Sequence, residues 1–260
     1  MPYATVAGER LFYALVEDDP TRQHHLVLVH GAGGDHTHWP AELRRLVGFN
    51  VSALDLPGHG RSAGQAEASV EAYADRVDLF LQTLGWGPAI VMGHSMGGAI
   101  AQVLALRRPA WLTGVVLIAT GARLRVDPQI LEGLNPASTS EAKFSEAIDT
   151  ICRRAYGPTT SEQMLRKGRQ QLLSVEPATI YADYVACDRF DLMNQVQDIR
   201  VPTLIIAGTV DQMTPLKYSQ YLRDQIPDSE LAEIKDGGHM LALEKPLEVT
   251  RALTPFLKTL

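Results

Sequence analysis

Five short segments of this chain are apolar at almost every position, and each runs into a glycine-bearing turn. They are Leu26–Val29 before His30-Gly31, Val51–Leu56 before Pro57-Gly58-His59-Gly60, Ala89–Met92 before Gly93, Val115–Ala119 before Thr120-Gly121, and Thr203–Ala207 before Gly208. A strand with one wet face alternates apolar and polar residues, whereas a strand covered on both faces does not. Runs of this kind predict a mostly parallel sheet sandwiched between helices. Leu11–Glu17 reads as a further strand. The gaps carry helical spacing. Ser69 stands as an N-cap before Val70, Tyr73, Ala74, Val77, Leu81 and Leu84 on one face, with Gly85 as the stop. Met96–Leu106 and Pro246–Leu257 read as two more helices. Strand and helix alternate over 26–119 and again from 203, the pattern of an open, doubly wound α/β fold.

Between 122 and 199 that rhythm stops, and no run there reads as a buried strand. Ser138-x-x-Glu141 and Thr159-x-x-Glu162 look like capping boxes, and Pro177 suits the first position of a third helix. The expected organisation is therefore a core made of 1–121 and 200–260, with 122–199 inserted as a helical cap. Such an insertion lies over the carboxyl edge of the sheet, where open α/β folds bind ligands. A chain of 260 residues is long enough for both parts.

Bulk properties exclude several classes. The net charge is −6 and no strongly basic run occurs, which argues against a nucleic-acid partner. Arg166-Lys167-Gly168-Arg169 reads as a solvated helix face. No apolar stretch approaches the ~18 residues of a membrane span, and Met1–Arg10 lacks a basic start followed by an apolar run, so neither membrane nor secretory signal is expected and cytoplasm is the expected location. Cys152 and Cys187 have no CxxC spacing and read as small apolar helix residues.

The chemistry concentrates in three places. Gly93-His94-Ser95-Met96-Gly97 joins a buried strand to a helix. A turn that tight exposes its central side chain and leaves no room for a Cβ on either flank, which is why glycine stands at 93 and 97. Serine needs a base to act as nucleophile at neutral pH. His239, in Gly237-Gly238-His239, can accept its proton, and Asp211, in Gly208-Thr209-Val210-Asp211, can orient the imidazole. Met96 begins a helix, so its N–H is unpaired beside the nucleophile; Ala32, with Gly33 next, is the expected source of a second oxyanion donor. Trp39, Tyr181 and Tyr184 are candidates to line a substrate pocket, with Gly33 near it. His36 and His38 invite a metal, but no third ligand stands at a useful spacing, so no metal and no cofactor is expected. His24 and His25 precede a strand, His59 should bond locally in its turn, and His94 should point away from the cleft.

These residues resemble the α/β-hydrolase superfamily, in particular its small lipase-like esterase branch with a helical lid. His30-Gly31-Ala32-Gly33-Gly34 is similar to the oxyanion loop, Asp55-Leu56-Pro57-Gly58-His59-Gly60-Arg61-Ser62 to a second turn near the site, Gly93–Gly97 to the nucleophile elbow, and Asp211 and Gly238-His239 to the acid and base turns. The resemblance implies the α/β-hydrolase fold and a carboxylesterase acting on a small-molecule ester through an acyl-enzyme. It leaves open a lactonase, such as an N-acyl homoserine lactone hydrolase, a carbon–carbon bond hydrolase of aromatic degradation, and a ligand-binding receptor on the same fold. Serine at 95 disfavours the dehalogenase and epoxide-hydrolase branches, which use a carboxylate nucleophile.

Overall fold

The computed structural model describes residues 3–17 and 25–260; His24 lies outside them. The chain begins with a hairpin, β1 (Tyr3–Val6) and β2 (Glu9–Val16), turned at Ala7-Gly8, both at positive φ as a two-residue hairpin turn requires. There follow β3 (His25–Val29), α1 (Ala41–Arg44), β4 (Asn50–Leu54), α2 (Val70–Leu84), β5 (Ala89–His94), α3 (Met96–Arg107) and β6 (Leu112–Ile118). Four helices come next: α4 (Pro128–Leu134), α5 (Glu141–Ala155), α6 (Glu162–Ser174) and α7 (Pro177–Arg189). The chain then returns through β7 (Thr203–Gly208), α8 (Leu216–Gln225), β8 (Glu230–Ile234), α9 (Leu241–Glu244) and α10 (Pro246–Leu257).

The eight strands form one sheet in the order β1-β2-β4-β3-β5-β6-β7-β8. Among the described strands of this sheet only the β1/β2 and β2/β4 pairings are antiparallel. The continuous apolar runs are explained by what covers each face. Val27, Val29, Val91, Leu117 and Ile205 pack with α2, α3 and α8 on one side. Their neighbours Leu26, Leu28, Ile90, Met92, Ile118 and Ile206 pack with Leu43 of α1 and Val249, Leu253 and Phe256 of α10 on the other. Each strand therefore sends alternate side chains into two separate cores. From β3 the chain passes to β4 on one side and later to β5 on the other, so the strand order reverses between β3 and β5, the position where ligands bind in open α/β sheets.

Helices α4–α7 build a third apolar cluster of their own, with Ile130, Leu134, Phe144, Ile148, Ile151 and Ile180 at its centre. Helix α7 starts at Pro177 as expected, but the starts of α5 and α6 differ from the sequence expectation. Ser140, not Ser138, caps α5 by accepting from the Lys143 N–H, and Ser161, not Thr159, caps α6 by accepting from the Met164 N–H. Glu141 and Glu162 are thereby the first helical residues, where a carboxylate still favours the positive end of the helix. Among the described residues no helix is long and apolar enough to cross a membrane.

Candidate active site

Ser95 lies between the last residue of β5 and the first of α3, at φ 53° and ψ −114°. Such a backbone costs a non-glycine residue about 1–3 kcal/mol and persists only where its surroundings hold it. Here the Ser95 N–H donates to Ile118 O (2.9 Å), and its carbonyl accepts from the Ala99 N–H (3.1 Å) and the Thr120 hydroxyl (2.9 Å). A Cβ on Gly93 would stand 2.0 Å from Gly97 O, and one on Gly97 would stand 2.1 Å from Val29 O. Strand, helix and the neighbouring β3 touch backbone to backbone, so glycine is required at both positions.

Asp211 and His239 arrive on the loops after β7 and β8. Those loops are held together by the Val210 N–H bond to Gly237 O (3.1 Å), and a Cβ on Gly208 would meet Gly237 O at 2.2 Å. Asp211 Oδ1 accepts from the N–H groups of Met213 (2.8 Å) and Thr214 (2.9 Å). Its Oδ2 accepts from Thr214 Oγ1 (2.8 Å) and from His239 Nδ1 (2.9 Å). Burial acts to raise the Asp211 pKa, but the His239 charge and these bonds outweigh it and hold the carboxyl below the ordinary carboxylate range. With Nδ1 committed to Asp211, the imidazole has Nε2 left for the cavity that His239 and Ser95 both line. Among the described hydrogen bonds none joins Ser95 Oγ to that ring.

Several contributors were not apparent in the sequence. Thr214 Oγ1 lies 3.2 Å from His239 Nδ1 and so touches both partners of the pair. Glu244 Oε2 accepts from the N–H groups of Gly157 (2.8 Å) and Gly238 (3.3 Å) and from the Thr160 hydroxyl (2.9 Å), tying the His239 loop to the inserted helices. The His239 N–H itself donates to Ala155 O at the end of α5 (2.9 Å).

His94 does not point away from the cleft as expected. It lines the cavity, and its Nε2 lies 2.8 Å from the His239 carbonyl oxygen. Burial pushes its pKa down to about 3, so the ring is neutral and Nε2 carries the proton given to that carbonyl. The exposed apex of the elbow belongs to Ser95, but the close approach of the 237–239 loop folds His94 into the same wall.

The cavity is otherwise mostly apolar, walled by Leu124, Val126, Ile151, Leu172, Tyr184 and Met213, with His38 and Gln171 hydrogen-bonded to each other at one side. Ala32 also lines it, and the N–H groups of Ala32 and Met96 meet no acceptor among the described residues. Gly33, Trp39 and Tyr181 are not part of its wall. The Gly33 N–H is spent on Asp183 Oδ2 (2.8 Å), Trp39 is 1% exposed in the core beside α1, and Tyr181 packs against the cluster of α4–α7. Trp39 follows a short turn whose Asp35 side chain accepts the Thr37 N–H (2.7 Å), and that turn aims the indole into the sheet core. His59 bonds locally to Pro57 O (3.0 Å) but also reaches Asp183 Oδ2 (2.8 Å) far along the chain. Cys152 and Cys187 are buried thiols in α5 and α7.

Asp35, His36 and Asp55 bring possible metal-ligand atoms within 4.8 Å of one another. Their lone pairs already serve the fold. Asp55 Oδ1 accepts from the His36 N–H (2.6 Å) and Nδ1 (2.8 Å), Asp55 Oδ2 from the Arg61 N–H (2.9 Å), and Asp35 Oδ1 from Thr37. The set ties the loop after β3 to the turn after β4.

Comparison with known proteins places this geometry in context. A model of the alpha/beta hydrolase fold family matches residues 24–246. A protein of Pseudomonas syringae pv. syringae, provisionally designated carbamate hydrolase RutD, is 30% identical over 93% of this chain and 95% of its own length. The pimeloyl-[acyl-carrier protein] methyl ester esterase of Neisseria meningitidis is 30% identical over 82% of this chain and 70% of its own. The solved structure of a thermophilic esterase superposes with a TM-score of 0.84 at 36% identity, covering 99% of this chain and 96% of that one.

Proposed function

Because the chain belongs to the alpha/beta hydrolase fold family, we propose that it hydrolyses carboxylic esters through a covalent acyl-enzyme, with Ser95 as nucleophile, His239 as general base and Asp211 as the carboxylate that orients it. The observation that carries this reading is the strained Ser95 turn opening into the same cavity as an imidazole whose far nitrogen is bonded to a buried carboxylate. The names of the relatives, an ester hydrolase among them, support it.

In this reading Ser95 Oγ attacks the ester carbonyl carbon while His239 Nε2 takes the hydroxyl proton. Asp211 keeps Nδ1 protonated and stabilises the imidazolium. The N–H groups of Ala32 and Met96 receive the oxyanion, each contributing about 3 kcal/mol to the transition state. Collapse breaks the carbon–oxygen bond, and His239 returns the proton to the departing alcohol. A water then loses its proton to His239 and attacks the acyl-enzyme; the acyl–Oγ bond breaks, His239 returns the proton to Ser95 Oγ, and the acid is released. Helices α4–α7 serve as the cap that walls the cavity. With an interior of only ≈ 80 Å³ and an apolar lining, the cavity suits a short apolar acyl or alkyl group.

Fluorophosphonate labelling, followed by peptide mapping, tests the nucleophile: Ser95 is the residue modified, and a folded protein left unlabelled there removes the proposal. Turnover of p-nitrophenyl acetate and butyrate, set against lactones, carbamates and a dienoate ring-fission substrate, decides the bond cleaved.

A further inference from the structure

Behind the loop that carries Ala32 lies a carboxylate that the hydrolysis above does not use. Asp183 sits in the middle of α7, within the inserted helices, and is wholly buried. Its Oδ2 accepts the Gly33 N–H (2.8 Å) and meets His59 Nε2 (2.8 Å), and its Oδ1 accepts the Tyr73 hydroxyl (2.5 Å). The three donors come from three parts of the core: the loop after β3, the turn after β4, and α2. A buried carboxylate stripped of partners would cost several kcal/mol, and this one has been given three. His59 supplies the balancing charge. It bonds Pro57 O through Nδ1 and Asp183 through Nε2, and an imidazole donates from both nitrogens only when protonated. Burial works against that proton, but the Asp183 charge and bond keep the His59 pKa above its ordinary value.

The bond to Gly33 bears on the site. Gly33 stands at φ +63°, and a Cβ there would crowd Leu172 Cδ2 at 2.9 Å, so the loop is pressed against α6 with no side chain between. Within the loop, the Gly34 N–H closes on Gly31 O (3.0 Å). Among the described residues the Gly33 N–H bonds to Asp183, which turns it away from the cavity. The adjacent residue, Ala32, lines the cavity with Ser95, and its N–H meets no acceptor among the described residues.

We propose that Asp183 is a positioning residue for the oxyanion hole: by holding the Gly33 N–H from α7, it fixes the Ala32–Gly33 peptide and through it the preceding Gly31–Ala32 peptide, which presents the Ala32 N–H, so the hole is complete only when α7 is docked on the core. An oxyanion donor works only within a few tenths of an ångström of its proper place, and an error of about 1 Å is enough to cost about 10²-fold. The proposal rests on the hydrolase reading of the same site.

The test is Asp183→Asn, nearly the same shape, characterised after circular dichroism and thermal melting show it folded. Ester turnover is compared with the inhibition constant of a trifluoromethyl ketone, whose adduct places an oxyanion in the hole. The expected result is a kcat 10- to 100-fold below wild type, KM within about threefold, and ketone affinity reduced in parallel with kcat/KM. A folded variant with wild-type kcat, or one that raises KM alone with ketone affinity intact, overturns it. Should the variant not fold, amide exchange in the wild-type protein labelled with ¹⁵N-glycine carries the test. A Gly33 amide protected as well as the α7 backbone supports the bond, and one exchanging like an exposed loop overturns it. The two readings fail separately: a wild type that fluorophosphonate leaves unmodified at Ser95 removes the hydrolase, whereas a labelled and fully active Asp183→Asn removes only the positioning role.

Discussion

The molecule holds two buried histidine–carboxylate pairs, His239–Asp211 and His59–Asp183, and they are built to opposite ends. His239 and Asp211 meet at 2.9 Å, His59 and Asp183 at 2.8 Å, and all four side chains are nearly or wholly inaccessible. The difference lies in the second nitrogen of each ring. In His239 it is left for the cavity, whereas in His59 it is tied to Pro57 O. A ring with one free nitrogen can take up and return a proton on each cycle; a ring bonded at both cannot do so without breaking a buried contact. The carboxylates differ likewise. Asp211 draws three of its bonds from its own loop, through Met213 and Thr214, while Asp183 gathers donors from three separate elements. One pair is an instrument held steady by local chain, the other a clamp that joins distant chain. Similar chemistry and similar burial thus give different roles, and connectivity decides which.

The sharpest way to break this comparison is to remove each ring in turn. His239→Gln should cut kcat by roughly 10⁴- to 10⁶-fold, as Ser95→Ala should. His59→Gln should cost no more than about 10²-fold, acting through the loop it helps to hold. Steady-state turnover of one ester by the purified, folded variants measures both, and equal losses would erase the distinction. Asp211→Asn comes next, with an expected kcat loss of about 10²- to 10⁴-fold, because the amide can no longer fix the Nδ1–H tautomer. A loss under tenfold would show that Thr214 or the backbone orients the ring alone.

The same contrast has an expected signature in stability against pH. The His59 pKa is raised in the fold, so the stability it contributes is fully present below the unfolded histidine value of about 6.5 and is lost as pH rises through the higher folded value. The Asp211 pKa is lowered, so its contribution is present above the unfolded carboxylate value of about 3.9 and is lost as pH falls through the lower folded one. Thermal melting of wild type and His59→Gln should therefore converge as the pH is raised above neutrality, the wild type losing more. Parallel curves across that range would mean that the buried pair carries no charge.

How much of this was legible in the chain follows from how local each signal is. The elbow could be read because its steric demand is written in consecutive residues, Gly93 to Gly97, at the end of an apolar run. The strands β3 to β7 could be read because both faces are covered. The edge strands could not: β1 is only Tyr3–Val6, and β8, Glu230–Ile234, carries exposed Glu230 and Glu233 and has only its last residue buried. The starts of α5 and α6 lie two residues beyond the expected caps because three hydroxyl residues stand before each, Ser138 to Ser140 and Thr159 to Ser161, and packing selects among them. Helix α4 is short, and its sign in the sequence is Asp127-Pro128, an N-cap before a first-turn proline. Asp183 and Thr214 were beyond sequence reasoning for a different reason. Nothing periodic or adjacent links residue 183 to residue 33, or the hydroxyl of 214 to the ring of 239. Those contacts exist only once the sheet has brought its loop ends together.

The gentlest test asks how much of the His239–Asp211 geometry depends on a single hydroxyl. Thr214→Val keeps the β-branched shape and the backbone N–H bond to Asp211 Oδ1, and deletes only Oγ1, which donates to Oδ2 and lies beside His239 Nδ1. The carboxylate keeps its other donors, so the expected cost is about 1 kcal/mol of stability and a severalfold fall in kcat, far short of Asp211→Asn. Removing one donor to the ionised form also lets the Asp211 pKa drift upward, so the acid loss of stability should begin at higher pH than in wild type. Denaturant melts at pH 7 and pH 4 read both effects together. A variant as stable and active as wild type at both would mean that the backbone bonds from Met213 and Thr214 hold the carboxylate unaided, and would make the local rigidity of this pair a property of the turn rather than of its side chains.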